Sequence, residues 1–122
     1  MLILGPSGSG KSSFALEMMA RGGVLVADDR TELFNHEDQL IASCPLEIRG
    51  KIEARGVGVL TAETISRAVI RLVVDLGKLE KDRLPEFRTE TLCGQSLPLL
   101  YNTAHDQFPA AVLQYLKGGR IA

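Results

Sequence analysis

The sequence predicts one α/β domain, and its N-terminal region carries most of that prediction. The first apolar segment, Met1–Leu4, runs directly into a glycine-rich turn, and a helix-spaced apolar pattern follows. Apolar segments return at Val24–Ala27 and Ala68–Leu76. The chain has 122 residues, which is enough for one domain with a buried core and too few for two.

The N-terminal elements are predicted to be a strand, a loop, a helix and a second strand. Met1–Leu4 is apolar and stops at Gly5, which is typical of a short buried strand. Ser12–Arg21 carries apolar residues at helical spacing, and Gly22-Gly23 ends the helix because glycine adopts the left-handed conformation at little cost. These apolar residues are Phe14, Ala15, Met18 and Met19. Val24–Ala27 is predicted to be the second strand.

The middle of the chain is predicted to contain a hairpin, a loop and a central strand. Thr31–Phe34 and Leu40–Ser43 form the hairpin arms, which turn at "NHEDQ". The segment "CPLEIRGKIEARGVGVL" contains Pro45 and spaced glycines, so we expect a loop around a short extended piece. Ala68–Leu76 ("AVIRLVVDL") is rich in Val and Ile, which favours a central strand.

The C-terminal third is predicted to form a loop, a strand and a helix. The segment "GKLEKDRLPEFR" is strongly charged and contains Pro85, which indicates an exposed loop. Leu97–Tyr101 is predicted to be the last short strand. A helix follows Asp106 and is closed by Gly118-Gly119. Its apolar residues at helical spacing are Phe108, Val112, Leu113, Tyr115 and Leu116.

Composition and charge exclude several kinds of partner. No apolar run approaches the roughly 20 residues of a membrane span, and "MLILGPSG" lacks the pattern of a signal peptide. Lys and Arg number 14 against 15 Asp and Glu, so the formal charge of −1 favours neither nucleic acid nor anionic lipid. Cys44 and Cys93 are too few for a disulfide scaffold, and we expect two buried thiols in a reducing cytoplasm.

The clearest motif is "GPSGSGKS", which fits the phosphate-binding pattern G-x-x-x-x-G-K-[ST]. Its glycines let successive N–H groups point at phosphate oxygens, and the following helix adds its positive N-terminal end. Lys11 would place a charge on the β- and γ-phosphates, and the Ser12 hydroxyl would complete a Mg²⁺ shell. The motif residues are Gly5, Pro6, Ser7, Gly8, Ser9, Gly10, Lys11 and Ser12. A nucleoside triphosphate with Mg²⁺ is therefore the expected ligand.

An acidic pair, Asp28-Asp29, ends the apolar segment that follows the first predicted helix. If Val24–Ala27 lies beside Met1–Leu4, the pair opens at the same sheet edge as the phosphate loop. One carboxylate could then orient the Mg²⁺ shell through water while the other accepts a proton from an attacking hydroxyl. The alternative is a solvated Asp-Asp turn that caps the next element.

The stretch "IEARGVGVL" supplies a second carboxylate and a guanidinium. Glu53 and Arg55 share a face if the backbone is extended, because alternate residues of a strand point the same way. Glu53 could hold a metal ion, and Arg55 could clamp phosphate oxygens of a bound nucleotide. The alternative is a surface ion pair beside a glycine turn.

These three stretches together resemble the catalytic domain of bacterial HPr kinase/phosphorylase. That family has a loop close to "G-x-S-G-x-G-K-S", then "LVADD" one helix later, then a signature close to "LEIRGxGI". This chain reads "GPSGSGKSS", "VLVADD" and "IEARGVGVL" in the same order. "DRLPE", Asp82–Glu86, is similar to the "eRlPe" segment of short members that lack the N-terminal domain. The resemblance covers about residues 1 to 90.

The resemblance implies a fold, a reaction and a set of roles. The fold would be a single P-loop kinase domain over 1–122, of the HPr kinase/PEP carboxykinase-like type, with a mixed sheet and flanking helices. The family transfers a phosphoryl group from ATP to a serine of HPr, a small phosphocarrier of the sugar phosphotransferase system, and many members reverse this with inorganic phosphate. Ser12 and Glu53 would hold Mg²⁺, either Asp28 or Asp29 would be the base, and Arg83 would clamp phosphate. A homo-oligomer is expected by analogy, because long members form hexamers.

The chain also departs from the family pattern. It has no histidine upstream of the phosphate loop, and neither His36 nor His105 matches that family position. Long members carry a basic segment before the last helix that is linked to the reverse reaction, whereas this chain reads "YNTAHDQFP" there. Ala54 stands where the signature has a larger aliphatic residue. The forward reaction is therefore the stronger expectation.

Three rival interpretations make different predictions. Another P-loop NTPase or small-molecule kinase would turn over ATP without a protein acceptor. A nucleotide-binding regulatory protein would bind ATP without phosphoryl transfer. A purely structural α/β domain would not bind ATP at all.

Overall fold

The structure, a computed structural model, describes all 122 residues and contains nine strands and two α-helices. In chain order the elements are β1 (Leu2–Leu4), α1 (Lys11–Ala20), β2 (Glu32–His36), β3 (Gln39–Ser43), β4 (Lys51–Ala54), β5 (Gly58–Thr61), β6 (Arg67–Val69), β7 (Val73–Leu79), β8 (Arg88–Leu92), β9 (Gln95–Asn102) and α2 (Phe108–Gly118). A short 3-10 turn lies at Leu46–Ile48.

The strands form one mixed sheet and two small antiparallel sheets. The main sheet has the order β1-β7-β9-β8, with β1, β7 and β9 parallel and β8 antiparallel to β9. A second sheet has the order β2-β3-β6, and β4 and β5 form a separate hairpin. The predicted α/β domain with a mixed sheet is confirmed. Because β1, β7 and β9 are parallel, their carboxyl ends open at one edge of the sheet.

The core consists of two apolar layers on opposite faces of the main sheet. Both helices pack on one face, where Phe14 and Phe108 bring their ring centroids to 5.5 Å. That cluster contains Phe14, Met18, Leu72, Val74, Leu76, Phe108 and Val112. The opposite face packs Leu2 and Ile70 against Leu40 and Ala42 of β3. Side chains alternate along β1, so that Ile3 packs under the helices and Leu2 packs against β3, and this strand contributes to both layers.

Both predicted helices and the first hairpin are confirmed. The first helix begins one residue earlier than predicted and ends one residue earlier, and the last helix starts at Phe108. The β2–β3 hairpin turns at Glu37 and Asp38, whose φ angles are 51° and 58°. Two residues with positive φ give the turn whose twist matches antiparallel strands.

The prediction of a strand at Val24–Ala27 is wrong. The segment makes one isolated bridge, from Leu25 to Thr64, and β1 pairs with β7 instead. A cavity of about 250 Å³ is lined by both Val24–Ala27 and β1, so the two segments stay too far apart for a ladder. Leu25 still becomes buried, at 6% exposure, so the apolar character of the segment serves packing without strand pairing.

The predicted central strand over Ala68–Leu76 is two strands. β6 pairs with β3, whereas β7 pairs with β1 and β9, so the chain leaves one sheet and enters another between Val69 and Val73. In this crossing Ile70 packs into the β3-side cluster and Leu72 into the helix-side cluster. The apolar residues of this run therefore fill two different layers.

Two predicted loops contain strands. The stretch around "IEARGVGVL", where we expected a loop around a short extended piece, is the β4–β5 hairpin. In the charged segment predicted as a loop, β7 runs on through Leu79 at the start, and β8 begins at the last residue, Arg88. Cys93 and Gly94 form the β8–β9 turn with φ angles of 49° and 77°. Cys93 is therefore exposed, contrary to the expectation of two buried thiols, while burial raises the pKa of the Cys44 thiol. Neither helix has the length and apolar character needed to cross a membrane.

We predict that Leu72→Ala destabilises the domain strongly, because Leu72 has 0% exposure and fills the layer under both helices. Removing its side chain should lower the free energy of unfolding by about 2–5 kcal/mol, measured by urea denaturation. Leu46→Ala is the matched control, since Leu46 is 76% exposed. Equal losses for the two variants would contradict the described core.

Candidate active site

The glycine loop connects the end of β1 to the start of α1 in a conformation that requires glycine. Gly5, Gly8 and Gly10 have φ angles of 152°, 82° and 94°. A Cβ atom at Gly5 would also lie 2.4 Å from the Ser9 hydroxyl oxygen, so any larger residue would clash. The loop therefore has the curled, glycine-dependent backbone that a phosphate cradle requires.

Lys11 and the first turn of α1 supply the positive charge of this cradle. The Lys11 ammonium donates to the Gly5 carbonyl at 2.7 Å and to the Pro6 carbonyl at 3.1 Å. These bonds hold a cation over the start of the loop. The N–H groups of the first helical turn have no intrahelical partner and add the positive end of the helix dipole. The site is thus suited to an anion.

Asp28 joins the phosphate loop to the β4–β5 hairpin. The Ser12 hydroxyl donates to one Asp28 carboxylate oxygen at 2.7 Å, and the Glu53 N–H donates to the other at 2.9 Å. Three segments that are distant in sequence therefore meet at one carboxylate. Asp28 was predicted to lie near the phosphate loop because Val24–Ala27 would pair with β1. The contact between Asp28 and Ser12 is present, although Val24–Ala27 forms no strand beside β1.

The other predicted site residues of this region are exposed. Asp29 makes no hydrogen bond or ion pair, and Glu53 holds Asp28 only through its backbone. Arg55 belongs to the three-residue turn of the β4–β5 hairpin, because β4 ends at Ala54. The expectation that Glu53 and Arg55 share one extended strand is therefore wrong.

Oxygen ligands suited to Mg²⁺ lie together at the junction. The Ser12 hydroxyl and the Asp28 carboxylate are in contact, whereas Glu53 reaches the same carboxylate through its backbone N–H. Hydroxyl and carboxylate oxygens are the donors that Mg²⁺ takes from proteins, with phosphate oxygens and water completing its shell. The pair formed by Ser12 and Asp28 therefore fits as part of a Mg²⁺ shell whose remaining ligands would come from elsewhere.

Arg83 lies in an exposed loop after β7, on the rim of a second cavity of about 530 Å³. This cavity opens beyond the carboxyl ends of β7 and β9, and Phe108 at the start of α2 forms part of its wall. Arg83 makes no hydrogen bond to the phosphate loop. The structure therefore places Arg83 at the same sheet edge as Lys11 without bringing the two into contact.

The loop that carries Arg83 is anchored at its base by Glu80. This carboxylate accepts the Arg88 guanidinium and the N–H groups of Lys81 and Asp82, the last two at 3.1 and 3.3 Å. Burial alone would raise the pKa of Glu80, but the Asp82 N–H and the Arg88 charge outweigh burial and leave the pKa lowered. Arg88 in turn lies 4.4 Å from the centre of the Tyr101 ring.

The C-terminal tail fastens the same loop from the other side. The Arg120 guanidinium donates to the Pro85 carbonyl and, at 3.5 Å, to the Glu86 carbonyl. It also stacks 4.1 Å from the centre of the Phe87 ring. Arg83 is therefore carried by a segment that is held both at its base and along its far side.

Sequence reasoning missed two residues of β7 beside the phosphate loop, Asp75 and Gly77. Asp75 is paired with Leu4 in the β1–β7 register, and its carboxylate accepts the Gly77 N–H at 2.8 Å. A Cβ atom at Gly77 would lie 2.9 Å from Pro6 Cδ, so Gly77 allows β7 to approach the loop closely. The sequence offered one sign of this, because Gly77 directly follows an apolar strand pattern, and a glycine there indicates that another backbone segment approaches the strand closely.

The fold and the site define a P-loop protein: a buried strand, a glycine loop with Lys11 and Ser12, and a helix, all at the carboxyl edge of a mixed α/β sheet. Residues 1–92 match the family described as the HPr Serine kinase C-terminal domain. The chain belongs to this family.

Individual relatives agree with that assignment. The chain is 42% identical over 91 residues to HPr kinase/phosphorylase of Caldanaerobacter subterraneus, covering 68% of this chain and 30% of the relative. It is 40% identical over 86 residues to the HPr kinase/phosphorylase of Chromobacterium violaceum, covering 64% and 27%. The chain thus spans less than a third of the length of these curated relatives.

The fold agrees as well. The solved structure of the Hpr(Ser) kinase/phosphatase from Coxiella burnetii superimposes with a TM-score of 0.78 at 26% identity, covering 94% of this chain and 83% of that one. The predicted fold of the HPr kinase type is therefore confirmed.

We predict that Glu80 stabilises the fold in a pH-dependent manner. Because its folded-state pKa is lowered from 4.5, its contribution is present above that pH and is lost as the pH falls below it. Glu80→Gln should therefore be less stable than the native chain at neutral pH, and the difference should shrink in acid. Urea unfolding at several pH values measures this, with exposed Glu86→Gln as the control. A difference that is independent of pH would contradict the described anchoring.

Proposed function

We propose that residues 1–122 form the catalytic P-loop domain of an ATP-dependent protein serine kinase whose acceptor is an HPr-type phosphocarrier. The observation that carries this proposal is the Asp28 carboxylate, bonded at once to Ser12 of the phosphate loop and to the Glu53 backbone. This contact brings Asp28 of the acidic pair to the phosphate-binding residues, where transfer to a hydroxyl acceptor would need a carboxylate. The names of the relatives support HPr as the acceptor.

The phosphate loop would hold and neutralise the triphosphate. Backbone N–H groups of Gly5–Ser12 would face the phosphate oxygens, and Lys11 would exchange its two carbonyl partners for the β- and γ-phosphates. Ser12 and Glu53 would hold Mg²⁺, which supplies charge neutralisation to the transferring group when bound. Arg83 as a phosphate clamp and Arg55 as a nucleotide contact remain parts of the proposal, and neither makes a hydrogen bond to the phosphate loop in the structure.

The two residues of the acidic pair would have different roles. Both oxygens of Asp28 are already engaged, by the Ser12 hydroxyl and the Glu53 N–H, so this residue suits the metal side of the site. Asp29 has neither a hydrogen bond nor an ion pair and is exposed to an incoming acceptor. We assign the proton acceptor to Asp29. Both residues were candidates from the sequence.

The proposed step is an in-line transfer. The serine oxygen of the acceptor forms a bond to the γ-phosphorus while the bond from that phosphorus to the β–γ bridging oxygen breaks. The serine proton passes to the Asp29 carboxylate, and ADP leaves with the electron pair of the broken bond. The proposal is limited to this forward direction, because Thr103–Gln107 contains no Arg or Lys to bind a second phosphate.

The direct test mixes the chain with purified HPr, ATP and Mg²⁺ and examines HPr by mass spectrometry. We expect one added phosphate, located on a serine. Unmodified HPr together with intact ATP binding would overturn the kinase proposal and favour a nucleotide-binding regulatory protein. ATP hydrolysis that is unaffected by HPr would instead favour a different P-loop enzyme.

We predict that Lys11→Ala lowers the rate of transfer to HPr by roughly a hundredfold or more, because one charge that stabilises the transferring phosphoryl group is lost. Lys117→Ala is the control, since Lys117 is exposed in the last turn of α2. If Lys11→Ala transferred phosphate to HPr at the native rate, the proposed role of the phosphate loop in the reaction would be wrong.

We predict that Asp29→Asn lowers the rate of transfer by about 10²- to 10⁴-fold, because the amide cannot accept the serine proton. ATP affinity should stay near that of the native chain, since the Asp29 side chain makes no hydrogen bond or ion pair to the loop or the hairpin. The control is Asp38→Asn, an exposed residue in the β2–β3 turn. Native transfer rates in Asp29→Asn would show that the base lies elsewhere.

A further inference from the structure

The tail that follows α2 is held to the domain by one charged side chain. α2 ends at Gly118, and of the last three residues only Arg120 is partly buried, whereas Ile121 is 98% exposed. An apolar side chain thus remains in solvent while a charged one is covered, which is the reverse of the usual order. The polar and aromatic contacts of Arg120, rather than apolar burial, therefore hold this tail in place.

Outside the tail, the partners of Arg120 all lie in the loop between β7 and β8. The guanidinium donates to the Pro85 carbonyl and, at 3.5 Å, to the Glu86 carbonyl, and it lies 4.1 Å from the centre of the Phe87 ring. Its Nε donates to the Ala122 carbonyl at 3.0 Å. A planar guanidinium can stack on a ring and donate from several nitrogens at once, whereas an ammonium group is a single point charge.

These contacts fix the half of the loop that follows Arg83. The segment Arg83–Phe87 makes no other hydrogen bond to the rest of the domain. On the preceding side, the Asp82 N–H donates to the Glu80 carboxylate at 3.3 Å. Arg83 therefore lies between two anchors, one residue after Asp82 and two residues before Pro85. Because consecutive Cα atoms are 3.8 Å apart, a fixed Pro85 keeps the Cα atom of Arg83 within about 7 Å of it.

We propose that Arg120 is a positioning residue for phosphoryl transfer, which holds Arg83 at the carboxyl edge of the main sheet where the phosphate loop opens. The inference rests on the proposed function, in which Arg83 clamps phosphate. Arg120 lies beyond residues 1–92 that match the family, so this role belongs to the C-terminal part of the chain. Without the bonds from Arg120, only the anchor at Asp82 remains, and Arg83 spends less time at that edge.

The anchoring can be measured without any enzyme activity. Trypsin cleaves after arginine, and the Arg83–Leu84 bond is a suitable site because Leu84 is 74% exposed. Cleavage of a native protein follows the local opening of the segment that is cut. We expect Arg120→Ala to be cut at this bond about threefold or more faster than the native chain, the value of one hydrogen bond, by mass spectrometry of the early products. Arg71→Ala is the control, since Arg71 is exposed and makes no side-chain hydrogen bond or ion pair.

The effect on the reaction is measured as transfer to HPr, with Arg83 present and with Arg83 removed. We expect Arg120→Ala to lower kcat by about threefold or more and to leave ATP affinity near native, since Arg120 makes no hydrogen bond to the phosphate loop. The double variant Arg83→Ala/Arg120→Ala should transfer at the rate of Arg83→Ala alone, because Arg120 acts only through Arg83. Arg120→Lys keeps the charge without the planar group and should transfer at a rate nearer to that of Arg120→Ala than to the native rate.

The outcomes separate this inference from the proposed function. Native cleavage of the Arg83–Leu84 bond in Arg120→Ala would overturn the anchoring, and equal acceleration after Arg67 in β6 would show a general loss of stability and also count against it. Native transfer rates in Arg120→Ala, or a double variant slower than Arg83→Ala, would overturn the positioning role and leave the kinase proposal intact. A native chain that binds ATP but does not modify HPr would overturn the proposed function and the positioning role together.

Discussion

The carboxylate of Asp28 is the contact on which the candidate site depends. It accepts the Ser12 hydroxyl and the Glu53 N–H, and so fixes the phosphate loop, the acidic pair and the β4–β5 hairpin relative to one another. Hydrogen bonds to an ionised acceptor are stronger than neutral ones, so a single side chain can hold three segments. Without this contact the hairpin would be tied to the domain mainly through packing of β4 on α1.

The parallel arrangement of β1, β7 and β9 then sets what lies around that contact. Each of these strands delivers its following segment to the same edge of the sheet: the phosphate loop, the Arg83 loop and the entry to α2. Gly77 lets β7 approach Pro6 closely, and Phe108 packs against Phe14 with the two rings tilted by 44°, so the segments around the phosphate loop are linked by direct contacts. The anchoring of the Arg83 loop by Glu80 and Arg120 limits where that arginine can act.

The features that the sequence predicts well are local ones. The phosphate loop and both helices follow from residues that are neighbours in the chain, such as Gly10 before Lys11 and Gly118-Gly119 after α2. Strand partners are not local. The sequence of Val24–Ala27 is strand-like, yet its place beside β1 is taken by an apolar cavity, and the run Ala68–Leu76 divides between two sheets. Strand pairing of this kind depends on which segments, distant in the sequence, can pair with each edge of the sheet.

The site shows the same limit. Asp28 and Glu53 could be named from the sequence, but their link through a backbone N–H could not, because it depends on where the hairpin packs. Glu53 and Arg55 do not share a face of one strand, because the three residues after Ala54, Arg55 among them, form the hairpin turn. For Asp75 and Gly77 the sequence offered only a weak indication, namely a glycine directly after an apolar run.

The role of Asp28 is tested by the Mg²⁺ dependence of ATP affinity in Asp28→Asn, with Asp29→Asn as the matched neighbour. Asparagine keeps the size of Asp28 but loses its charge and one of the two acceptor oxygens. We expect Mg²⁺ to strengthen ATP binding to the native chain and to Asp29→Asn, and we expect this gain to fall by about tenfold or more in Asp28→Asn. An equal Mg²⁺ gain in all three proteins would contradict the role assigned to Asp28.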